Sequence, residues 1–274
     1  MEKRQKLGRG LEEVSHYYLS GVDDSTNPKL KEDQPEGLLK RSISVYCPGS
    51  AQMRAFFLTN FALELIRNRV NVLIWDQGAD PEYRPASTMK NLIRKDEGSK
   101  ADIVRLYGLP EIQILGHEGV TYGYIKECID SNGLSKQGYC LLINTRNDLE
   151  SIPEGSDVPT DFILLTKVGK YPLLQCYAYI KVICKNHPCA TIYIVLDEVQ
   201  DQGLEIDLYS RFVQHVENKL SVGLKTLGGI VHDEYLFRSI KDNDPLMLFP
   251  NQSLAKDSIT TIGKEFFRLN NNGN

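Results

Sequence analysis

RSISVYCPGSAQMRAFFLTNFALELIRNRVNVLIWDQGAD, residues 41–80, decides the fold of this 274-residue chain. SISVYC is a β-branched, apolar run, and Pro48-Gly49-Ser50 interrupts it. Met53, Phe57, Phe61 and Leu65 then recur at helical spacing, with Leu58, Ala62 and Ile66 beside them. VNVLIW reads as a second buried strand that ends at Asp76. The stretch is therefore strand, turn, helix, strand, and the first turn carries a glycine. In folds of this kind such a turn is where a phosphate sits on a helix N-terminus.

Downstream the alternation continues. ADIVRLYGLPEIQILG offers two short strands around Gly108-Leu109-Pro110, YGYIKECIDSN a helix, and GYCLLINTRND a buried strand reaching Asn144. Residues 81–100 read as a loop with a short helix. DFILLTKVG is a strand with a polar exit at Thr166. PLLQCYAYIKVICKN is a helix on which Leu174, Ala178 and Val182 line up beside Tyr177 and Lys181. ATIYIVLDEVQ is a strand ending at Asp197, and residues 204–220 form a helix. LKTLGGIVHDEYLFRSI is a strand, a turn and a helix that Asp233 is placed to cap. DSITTIGKEFFRL closes the core with Ile259, Ile262, Phe266 and Leu269 at 3–4 spacing. Continuous apolar strands separated by crossovers predict a mainly parallel sheet with helices on both faces. The expected organisation is a short amphipathic segment plus a flexible, charged linker over residues 1–40, an α/β domain over 41–270 and a disordered tail over 271–274. In the first segment Leu11, Val14, Tyr18 and Leu19 share one side.

The bulk numbers exclude several classes. At 41% apolar and 25% charged residues the chain is an ordinary globular one, and its net charge of −4 gives no field that would draw it to nucleic acid. No apolar run approaches the roughly 20 residues a bilayer span requires. The start, MEKRQKLGRGLEEV, is polar and unlike a secretion signal, and the expected location is the cytoplasm. Six scattered cysteines suit a reducing compartment better than a disulfide scaffold. Cys47 is read as a small buried hydrophobe rather than a reactive thiol. Cys184, His187 and Cys189 have no second ligand cluster, so no metal site is assigned.

The order of these blocks, from about Arg41 to Phe267, resembles the MinD/ParA/FlhG family of P-loop ATPases. VNVLIWDQGAD resembles the family's strand that ends in an aspartate turn. YAYIKVI is similar to the helix after its nucleotide-sensing strand, and LGGIVHDEYLFRSI with PNQSLAKDSITTIGKEFF to its closing segment. The resemblance implies a three-layer P-loop NTPase-like sandwich. The family's phosphate loop has the form Gly-Lys-Gly-Gly-x-Gly-Lys-Thr-Thr, with Asn six residues after the second Lys. Anchored on Asn60, that pattern puts Arg54 at the signature lysine, Ala55 and Phe56 at the threonines, and Gly49 at the first lysine. None of its glycines stays in place. Ala55 cannot supply the hydroxyl that binds Mg²⁺, and a guanidinium is a planar fork where an ammonium is compact. Asn144 stands where the resemblance implies a Mg²⁺-organising aspartate, and Asp197 where it implies an adenine-reading asparagine. Asp76 alone survives among the residues expected to serve Mg²⁺ and water.

Gly49, Arg54, Asp76, Asn144 and Asp197 are thus expected to mark a vestigial nucleotide site, with no catalytic residue and no cofactor. Arg54 is open to two readings, an anion ligand at the helix start or a solvent-facing or ion-paired arginine. The implied function is a non-catalytic scaffold or regulator that binds a protein, either an active ATPase paralogue or a second copy of itself. The alternative is an ATPase switch with a rebuilt loop, using ATP and Mg²⁺. The last helix is read as core rather than as a membrane-surface element, because Phe266 continues the core stripe and basic residues are few.

Overall fold

The computed structural model describes residues 40–77, 93–94, 103–106, 109–116, 139–146, 149–152, 161–199 and 203–271. The N-terminal segment, the helix expected over 122–132 and the last three residues lie outside them. Strand β1 (Lys40–Tyr46) leads through the Pro48-Gly49 turn into helix α1 (Ala51–Arg67) and strand β2 (Val72–Asp76). Strands β3 (Ile93–Arg94), β4 (Ile103–Leu106), β5 (Leu109–Gly116) and β6 (Tyr139–Asn144) follow. The second half alternates β7 (Asp161–Thr166), α2 (Lys170–Asn186), β8 (Thr191–Asp197), α3 (Gly203–Leu220), β9 (Leu224–Ile230), α4 (Glu234–Asp242) and α5 (Leu254–Asn271).

The strands form one sheet in the order β3-β4-β5-β2-β6-β1-β7-β8-β9. From β5 to β9 every neighbouring pair is parallel, whereas β3 and β4 run antiparallel at one edge. The two-residue strand β3 falls in the stretch read from sequence as a loop with a short helix. Two residues are too few to carry a periodic signal.

Strand alternation builds two cores. Ile43 and Val45 of β1, Ile163 and Leu165 of β7, and Tyr193 and Val195 of β8 face α1, α4 and α5. Tyr46, Phe162, Leu164, Ile192 and Ile194 face α2 and α3. Helix α1 is buried on every side from Met53 to Leu65, as expected of a helix that is apolar all round. Phe57 stacks on Phe61 at 5.3 Å, Phe61 meets the edge of Phe266 at 5.5 Å, and Phe266 meets Tyr193 at 5.3 Å. Gly263 lets α5 approach α1 closely: a Cβ there would lie 2.5 Å from Glu64 Cγ.

Helix α2 docks differently from its sequence reading. Leu173, Cys176, Tyr179, Ile180 and Ile183 are buried, while Leu174 is 56% exposed. The helix carries an apolar stripe on each side, and periodicity alone favours neither. The stripe that complements the Tyr46–Phe162 surface is the one that docks.

At the far end of the sheet, β9 pairs with β8 through a register shift between Ile194 and Val195. Gly228 there has φ +124°. A side chain at Gly229 would collide with Val199, 2.0 Å from its Cγ2.

Asp233 joins the last two helices. One carboxylate oxygen accepts from the Leu236 amide at 2.9 Å, capping α4; the other accepts from Ser253 Oγ at 2.6 Å and the Ala255 amide at 3.1 Å, capping α5. Burial pushes this carboxyl up, but those hydrogen bonds outweigh it and hold it below the usual carboxylate range. Asp233→Ala is expected to cost about 2 kcal/mol, as a strong cap does. A lowered native pKa means that the stabilisation is complete above the unfolded value of about 4 and is lost as pH falls through the native value. Urea midpoints of wild type and variant should therefore differ at pH 7 and converge toward pH 3.

Candidate functional site

The parallel strands deliver their polar residues to one place, the carboxyl edge of the sheet. Four residues, Cys47 to Ser50, connect β1 to α1. The Ser50 amide bonds to the Cys47 carbonyl at 3.1 Å, and Gly49 takes φ +97°, with open space where a Cβ would be. Ser50 caps α1, its Oγ accepting from the Met53 amide at 3.0 Å. The chain's own hydroxyl thereby takes one of the helix-start amides that an anion would otherwise use.

Arg54, on the first turn of α1, is 2% exposed, so it does not face solvent. Its Nε donates to Asn144 Oδ1 at 2.7 Å, and Asn144 Nδ2 donates to Asp76 Oδ1 at 2.7 Å. Three residues spread over ninety positions of the chain thus close into one buried relay across α1, β6 and β2. Burial pulls the guanidinium below its ordinary pKa, while Cys47, Asp76, Tyr179 and Tyr46 pull it back. Its Nη1 is buried without a hydrogen-bond partner. Thr145 continues the closure, its hydroxyl donating to the Val45 carbonyl of β1 at 2.6 Å. Asn60, fully buried, donates to the Phe56 carbonyl at 2.8 Å and accepts from the Met247 amide at 2.9 Å. It ties α1 to the turn after α4.

Asp197 lies apart from this relay. Its Oδ1 is 2.7 Å from His232 Nε2, and the His232 ring meets the edge of Phe237 at 5.7 Å. Lys167, just past β7, pairs with Glu198, which adopts the left-handed conformation at φ +63°. Cys47 lies among these charges, but burial and the nearby Asp197 push its thiol up to about 12, so it is no nucleophile at neutral pH. Among the described residues, no group of three or more His, Cys, Asp or Glu could hold a metal ion. His187 packs its ring against Phe162 at 5.2 Å.

All five residues read from the sequence stand at this edge, but the structure gathers only Arg54, Asn144 and Asp76. Gly49 shapes the turn and Asp197 pairs elsewhere. The inward course of Arg54 and the partnership of His232 with Asp197 were not legible in the chain. His232 stands at a strand exit, as Asp197 does, and that shared placement was the one available signal.

No protein-family model and no curated protein sequence matches this chain. Solved structures do. The MinC:MinD cell division protein complex of Aquifex aeolicus aligns with a TM-score of 0.60 at 12% identity, over 84% of this chain and 96% of that one. A ParA family ATPase from Chlorobium tepidum TLS aligns at 0.54 and 12%, covering 82% and 98%. A Cyanothece McdA–ATP complex aligns at 0.57 and 8%, covering 84% and 96%. The chain therefore has the fold of the MinD/ParA P-loop ATPases. Among the described residues no helix is long and apolar enough to cross a membrane.

Proposed function

We propose that this chain is a non-catalytic relative of the MinD/ParA ATPases that works by binding another protein in the cytoplasm. The observation that supports the reading is Arg54, turned inward from the signature-lysine position and bonded to Asn144, which in turn holds Asp76. A magnesium triphosphate does not fit that donor set. Asn144 donates one amide proton to Asp76, accepts from Arg54 on its oxygen and offers no carboxylate, Ala55 has no hydroxyl, and Ser50 already caps the helix. Aimed cations and Mg²⁺ supply most of the stabilisation in phosphoryl transfer, and losing one such contact typically costs about 10²–10³ in rate. Similarity to a MinC:MinD complex and to McdA supports a protein partner, an ATPase paralogue or a second copy of this chain.

Calorimetric titration with ATP, ADP and GTP, each with and without Mg²⁺, tests the reading. No measurable heat and no phosphate release are expected. Micromolar binding with Mg²⁺-dependent hydrolysis would overturn it in favour of a switch with a rebuilt loop.

A further inference from the structure

We draw no further inference here: the strongest candidate, the buried pair Ser44 Oγ and Trp75 Nε1, which lack hydrogen-bond partners in one row of the sheet across β1, β6 and β2, carries none because nothing among the described residues shows what covers them.

Discussion

Replacing Arg54 with alanine is expected to destabilise the protein by about 3–5 kcal/mol, the usual cost of removing one member of a buried charged network. The variant leaves Asn144 Oδ1 without the donor Arg54 supplies and takes the Arg54 charge away from Asp76, and both residues are buried. Arg54→Lys should fall between the two, since one ammonium restores charge but not the fork geometry that reaches Asn144. Urea unfolding checks both, with the alanine variant's midpoint lower by about 1 M or more at unchanged slope. An unmoved midpoint would mean that Arg54 is not what holds β2, β6 and α1 together at this edge.

The second large effect is expected at Phe266. Its ring is fully buried, meeting Phe61, Tyr193 and Phe267 edge-on. Phe266→Ala should cost about 3–5 kcal/mol, lost burial plus the cavity left between α1, α5 and β8. Asn270, one turn on, accepts from Tyr193 Oη at 2.8 Å and from Arg41 Nη1, so the end of α5 is also tied down by polar contacts. A helix whose work lay at a membrane surface would give the opposite pattern, stability unmoved and vesicle binding lost. The comparison thus separates a core helix from an anchor.

Which parts of the molecule could be read from the chain follows from the range of the interactions involved. The strands β1, β2, β6, β7 and β8 were legible because each is a short, mostly apolar run bounded by polar or turn residues, a local signal. The cap at Asp233 was legible because capping acts within three residues. The docking side of α2 was not, since Leu174, Ala178 and Val182 are as periodic as Leu173, Cys176, Ile180 and Ile183. Only the shape of the opposing sheet separates them. The site divides in the same way. That Arg54, Asn144 and Asp76 occupy strand and helix ends was legible from sequence; that they bond to one another across 68 and 90 positions was not. The pairing of Asp197 with His232, 35 positions away, needed the β8–β9 neighbourhood.

The outermost strand has one more consequence. Among the described residues β9 ends the sheet, and a bare parallel edge is a template on which further chains can polymerise. Here the shifted register and the left-handed Gly228 break the even ladder that an incoming strand would copy. Lys225 adds a charge on the same margin, 5.7 Å from the Tyr193 ring centre. Substituting Gly228 with a β-branched residue would strain that kink, and a strand straightened in response would expose a fibril-prone rim.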